Sequence, residues 1–118
     1  MRIFKKYIKR KEIQSHSELL NQIFEQNIDG FSKKPKIIEV GSGITTDLLN
    51  KLSLKYECEV ISIDNNPSKV KFLNNNIKNK SPKLSFLVGD SLEILKNIIE
   101  KSKIDLLFLD SVPSAMYT

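Results

Sequence analysis

In the stretch "IIEVGSGITT", residues 37–46, an apolar run meets a Gly-Ser-Gly turn, with one carboxylate, Glu39, among the aliphatic residues just before it. Glycines at positions 41 and 43 permit backbone angles and a close ligand approach that a side chain would block. A helix starting near Thr45 and Thr46 would aim its unpaired N–H groups at whatever Gly41, Ser42 and Gly43 enclose. Asp64, in "ISIDNNP", comes twenty-three positions after Gly41. An acid at that distance, closing the second strand of a strand-helix-strand unit, is placed to accept both hydroxyl hydrogens of a ribose. In "LVGDSLEIL", Asp90 or the neighbouring Ser91 is expected to reach an adenine amino group, and Asp110 follows the run "LLFL". Taken singly, Asp64 and Asp90 also suit plain turns and helix starts. Glu39 admits no such reading, because a carboxylate inside an apolar strand needs hydrogen-bonding partners to offset its desolvation.

The elements that must position these residues are regular. The apolar runs "KIIEV", "CEVISI", "LSFLV" and "IDLLFL" are short, rich in branched residues and bounded by polar turns, as buried strands are. Between them, helical spacing appears over about 45–53 (Leu48, Leu49, Leu52), about 67–78 opened by Pro67 (Val70, Leu73, Ile77), and about 91–100 (Leu92, Leu95, Ile98 or Ile99). Such alternation predicts right-handed crossovers and a parallel sheet covered on both faces, an α/β fold. Ligands of open parallel sheets bind beyond the carboxyl ends of the strands. The glycine turn and the three aspartates all fall there, in register along one rim.

Upstream, Leu19, Leu20, Ile23, Phe24 and Ile28 recur at helical spacing, with Ser17 as N-cap and Gly30 after the last apolar position. Residues 1–11 hold six cations and no acid; removing those six from the nineteen Lys and Arg leaves thirteen against fourteen acids, so the body is close to neutral. The basic arm suits either phosphate contact or a solvated helix face, since Ile3, Phe4, Tyr7 and Ile8 also fall at helical spacing. The expected organisation is a basic helical arm over 1–35 and a ligand-binding domain over 36–118. A single cysteine, Cys58, excludes an internal disulfide and a cysteine-rich metal site and suits a reducing compartment, the cytoplasm. Cys58 reads as a small buried hydrophobe, and His16 stands without a second ligand or base in view. No window approaches the length of a membrane span.

The string Glu39-x-Gly41-x-Gly43, with Asp64, Asp90 and Asp110 at successive strand ends, resembles the Rossmann-like class of S-adenosylmethionine-dependent methyltransferases over about residues 36–111. The resemblance implies a doubly wound sheet with strand order 3-2-1-4 for this part. It implies that the Gly41–Gly43 turn, with Ser42, approaches the methionine part of the cofactor, Glu39 orienting its ammonium group through the turn or a water. Asp64 would hold the ribose hydroxyls, Asn65 would lie against the adenosine, Asp90 and Ser91 would read the adenine edge, and Asp110 would face the methionine end and the substrate. Thr45 stands where the family often has a third glycine.

The family's sheet normally has seven strands, and this sequence stops after its fourth. The expectation is a fragment whose fourth strand, Leu106 to Leu109, presents an unpaired edge that invites a dimer or a partner chain. No catalytic base and no metal ligand set can be assigned. "DLLFLDS" resembles oxygen-directed small-molecule enzymes of the class, and the amino-directed nucleic-acid signature Asn/Asp-Pro-Pro-aromatic is absent at Asp110-Ser111-Val112-Pro113. A small-molecule acceptor is therefore expected, with RNA kept in view by the basic arm. Two rivals stand beside this reading. A nicotinamide-dependent oxidoreductase shares the fold and the ribose acid, yet needs glycine where Thr46 stands. A non-catalytic half-domain would bind cofactor, or simply pair through its fourth strand.

Overall fold

The computed structural model describes residues 2–5, 21, 22, 25 and 34–109. Five parallel strands make one sheet: β1 (Arg2–Lys5), β2 (Lys36–Val40), β3 (Glu59–Asp64), β4 (Leu84–Val88) and β5 (Leu106–Leu109). Their order is β1-β5-β2-β3-β4. The four strands expected from the apolar runs thus stand in the expected 3-2-1-4 arrangement. Among the described residues, β2 to β5 are connected in turn by α1 (Ile44–Tyr56), α2 (Pro67–Asn76) and α3 (Ser91–Lys101).

Strand alternation divides the core into two layers. Ile37, Val60, Leu84, Leu106 and Phe108 face one way and pack with Leu49 and Leu52 of α1. Ile38, Val40, Ile61, Ile63 and Leu107 face the other way, against Ile94, Leu95 and Ile98 of α3. Crossovers of one hand place consecutive helices on opposite faces only where the chain passes the starting strand, which happens between β4 and β5. The reversal puts the switch point of the sheet between β2 and β5, beside the Gly41–Gly43 turn. Among the described residues no helix is long and apolar enough to cross a membrane.

The helix starts follow the sequence signals. Pro67 opens α2, and Asn66 caps it by accepting from Ser68 N and Lys69 N at 3.1 and 3.2 Å. A buried polar cluster, which the apolar pattern gave no sign of, fixes the approach to β4. Asn50 of α1 accepts from Ser81 N at 2.7 Å, and Ser53 meets Ser81 at 2.6 Å and donates to Cys58 O at 2.6 Å. Cys58 itself is fully buried, and that burial pushes its thiol up to about 11, as befits a packing residue.

Two expectations are corrected at the amino end. Residues 2–5 form a strand, not part of a helix, and β1 pairs with β5 in the register Arg2↔Leu106 to Lys5↔Leu109. Consequently β5 has neighbours on both sides, β1 and β2, and is not the unpaired edge that would recruit a dimer or partner chain. The physical reason is that β5 is apolar on both faces and needs hydrogen bonds along both edges; a four-residue segment satisfies them whatever its weak helical spacing. Asn21, Gln22 and Glu25 are helical, in keeping with the amphipathic helix expected there. Glu25 touches the end of α1 through Lys55 at 3.5 Å and Tyr56 at 3.4 Å. The rest of the basic arm and His16 lie outside the described residues.

Candidate functional site

Glu39 is fully buried and sits in register with Ser62 of the neighbouring strand. Its Oε1 accepts from Ser62 Oγ at 2.6 Å and from Thr46 Oγ1 at 2.5 Å. Thr46 Oγ1 in turn accepts from Gly43 N at 2.9 Å, and Thr46 N donates to Gly43 O at 3.0 Å. Ser42 Oγ lies 2.6 Å from Ser62 Oγ. One carboxylate thus ties strand β2, strand β3, the first turn of α1 and the glycine turn into one unit. Hydrogen bonds this short, in a fully buried place, suit a loop that must keep its shape while binding. The contacts explain why an acid interrupts an apolar strand: the acid anchors the turn from beneath.

Gly41 has φ 94° and donates its N–H to Ile63 O at 2.8 Å, so the turn needs glycine at this place. Gly43 is extended, at φ 173°. Thr45, in the position of the third glycine, is fully buried inside the first turn of α1, and its hydroxyl has no hydrogen-bond partner among the described residues.

Asp64 closes β3 and is 6% exposed. Its Oδ2 accepts from Ser42 N at 2.9 Å and pairs with Lys69 Nζ at 2.8 Å; its Oδ1 accepts from Asn66 N at 2.9 Å. Burial by itself would raise the carboxyl's pKa, but the bonds from Lys69, Asn66 and Ser42 and the charge of Lys69 together hold it below the ordinary aspartate value. The acid is therefore ionised and in direct contact with the glycine turn. Asn65, next along, is exposed.

Asp90 is exposed and caps α3: its Oδ1 accepts from Leu92 N at 3.0 Å and from Glu93 N at 3.4 Å. The turn reading of this residue is realised, and it leaves the other carboxylate oxygen outside the cap. Ser91 beside it is half-buried. Gly89, with φ 152°, donates to Asp64 O at 3.1 Å, which draws the end of β4 toward the end of β3. A Cβ at Gly89 would stand 3.0 Å from Ile94 Cδ1, so the backbone there tolerates no side chain without a shift. Asp90→Ala is expected to lower stability by about 1 kcal/mol through the lost cap, read as a shift in the urea midpoint. Asp90→Ser should restore most of it.

The rim therefore gathers Glu39, Gly41, Ser42, Gly43 and Asp64 into one bonded group, with Asn65, Asp90 and Ser91 along the neighbouring strand ends. Asp110 lies just past β5, outside the described residues. Three residues of the group went unnoticed in the sequence as site residues: Thr46, Ser62 and Lys69. Ser62 had a faint signal, a hydroxyl in an apolar strand two positions before the aspartate and on the same face. The spacing of Lys69, five after Asp64, marks one turn into the following helix and carries no motif. No group of three or more metal-ligating side chains occurs among the described residues.

Comparison with curated proteins finds no match. A family model described as a methyltransferase domain, however, matches residues 31–118. That span is 88 of the 118 residues and contains β2 to β5, the three helices and the whole bonded group around Glu39 and Asp64. The glycine turn anchored by a buried acid, and the aspartate that closes the next strand, thus fall within the span matched by one family, and the chain belongs to the methyltransferase domain family.

Proposed function

We propose that the chain binds S-adenosylmethionine across the ends of β2 and β3 and transfers its methyl group to a small-molecule oxygen. The observation that carries this reading is the bond between Ser42 N and Asp64 Oδ2, 2.9 Å, which sets the glycine turn and the ionised acid side by side. A ligand with an amino-acid end and a ribose end spans such a pair. The donor set fits the cofactor on its own chemistry: a turn without a Cβ at Gly41, a carboxylate able to accept from ribose hydroxyls, and Asn65, Asp90 and Ser91 toward the base. Bound there, the cofactor supplies a methyl group on a sulfonium, an activated leaving group.

The chain's own residues then have the task of alignment. Glu39, through Thr46 and Gly43, holds the turn rigid, and Asp64 fixes the ribose, so that the reactive end is held in one place. Positioning of this kind lowers the barrier by removing translational and rotational freedom in advance. Asp110, next after β5, stands nearest in sequence to the reactive end, and the acceptor's base belongs beyond it. The oxygen acceptor is favoured by "DLLFLDS" and by the missing nucleic-acid signature; a cytoplasmic setting is favoured by the free Cys58. Against the nicotinamide rival, the position of its next glycine is Thr46, whose hydroxyl is committed to Glu39 and Gly43.

Isothermal titration with S-adenosylhomocysteine, with a nicotinamide dinucleotide as control, tests the cofactor assignment. Binding of the first alone is the expected result. Binding of the dinucleotide alone overturns it.

A further inference from the structure

Lys69 is out of place by the ordinary rules of helices. It occupies the third position of α2, where the helix dipole disfavours a cation, and no acid shares that first turn. Its ammonium reaches back to Asp64 at 2.8 Å. A cation placed against the helix dipole and held on the acid that contacts the glycine turn points to a role at the site.

The acceptors of Asp64 can be counted. Each carboxylate oxygen has two lone-pair positions. Oδ2 has both taken, by Ser42 N and Lys69 Nζ, and Oδ1 has one taken, by Asn66 N. One acceptor position is left for a ribose diol that brings two donors. The two backbone amides belong to the turns and cannot leave without unfolding them. Lys69 can leave: its side chain is 38% exposed, on a flexible stem, and α1 and α2 border a cleft of about 530 Å³ that Lys69 itself lines. Asp47 of α1 lines the same cleft, where it already pairs with Lys51 at 3.4 Å, so the released ammonium would join an existing exposed ion pair.

We infer that Lys69 is an internal competitor for the nucleoside subsite, occupying Asp64 until ribose hydroxyls displace it, so that cofactor affinity is set by the difference between the two partners of one carboxylate. This rests on the proposed reading that Asp64 receives the ribose. Lys69 is thereby a positioning and affinity-setting residue, not a catalytic one: it holds Asp64 ionised and oriented when the ribose is away and swings into the cleft when it arrives.

The test is titration of the full chain with S-adenosylhomocysteine for wild type, Lys69→Met, Lys69→Arg, Asp64→Ala and the double variant. Lys69→Met is expected to bind about two- to fivefold more tightly, the worth of a partly exposed ion pair. Lys69→Arg keeps the cation and should stay closer to wild type. In the Asp64→Ala background the gain from Lys69→Met should vanish, since there is nothing left to compete for. A general loosening of α2 would not show that dependence. Weaker or unchanged binding by Lys69→Met, with Asp64→Ala clearly weakened, overturns the competitor and leaves the ribose assignment standing. Wild-type affinity in Asp64→Ala removes the ribose assignment, and the competitor with it.

Discussion

Glu39→Ala is expected to destabilise the protein by about 2 to 4 kcal/mol, in the range of a disrupted buried polar network. The substitution strands the hydroxyl of Thr46 and leaves Ser62 Oγ with Ser42 Oγ as its remaining side-chain partner, both in a fully buried place. It also leaves a small cavity between β2 and α1. Removing a buried carboxylate relieves its desolvation, which is why the figure is not larger. Glu39→Gln keeps the shape and an oxygen able to accept from both hydroxyls, and should cost about 1 kcal/mol. Urea unfolding measures both, and an unchanged slope with a lower midpoint would identify a loss of stability rather than a change in compactness. Because Thr46 passes the anchor on to Gly43, ligand binding should fall in Glu39→Ala even in the folded fraction. A midpoint equal to that of wild type would show that Glu39 does not tie the turn to the sheet.

Asp64→Ala should weaken S-adenosylhomocysteine binding by about 1.5 to 3 kcal/mol, the range for lost hydrogen bonds to a charged group. In affinity this is roughly ten- to 150-fold. The substitution also frees Ser42 N and Asn66 N, so that the turn and the start of α2 lose a common acceptor. A pH series separates the charge from the shape. The folded carboxyl titrates below the ordinary aspartate value because its bonds outweigh its burial, so it binds fewer protons in the folded state than in the unfolded one. Its contribution to stability is therefore complete above the unfolded value, about 3.9, and is lost as pH falls through the lower folded value. Unfolding at pH 6 should distinguish wild type from Asp64→Asn, and the difference should shrink steadily below pH 4. A difference that grows on acidification would mean that the carboxyl is held protonated, against the contacts seen. Ligand affinity unchanged in Asp64→Ala would remove the ribose assignment.

These two residues also mark the border between what is local and what is not. The short apolar runs at 36–40, 58–63, 84–88 and 104–109 and the helical spacing between them need only a few neighbouring residues to be read. The four strands and three helices accordingly appear where expected, with ends shifted by a few residues: α1 begins at Ile44 and runs to Tyr56, beyond the expected 53. The aspartate that closes β3 was legible for the same reason, because a strand end is defined by the sequence on either side of it. The capping role of Asp90 was legible too, and the structure shows it directly.

The role of residues 2–5 was not legible. Their helical spacing is genuine but too short to carry weight, and the edge of β5 outweighs it from a hundred positions away. The partners of Glu39 were hidden too. Burial of the acid followed from its neighbours, but the answer to that burial came from Thr46, seven positions on, and Ser62, twenty-three positions on. The Asn50–Ser81 bond joins residues thirty-one apart, and the Lys69–Asp64 pair runs against the helix propensity of its own turn. By itself, then, the sequence determined the alternation of elements, the parallel sheet and the strand ends at which the glycine turn and Asp64 stand, because periodicity and turn chemistry are short-range. Only the tertiary structure decided which strand covers β5, which hydroxyls hold Glu39 and which cation rests on Asp64, because each choice is made by groups that packing brings together across long separations in the chain.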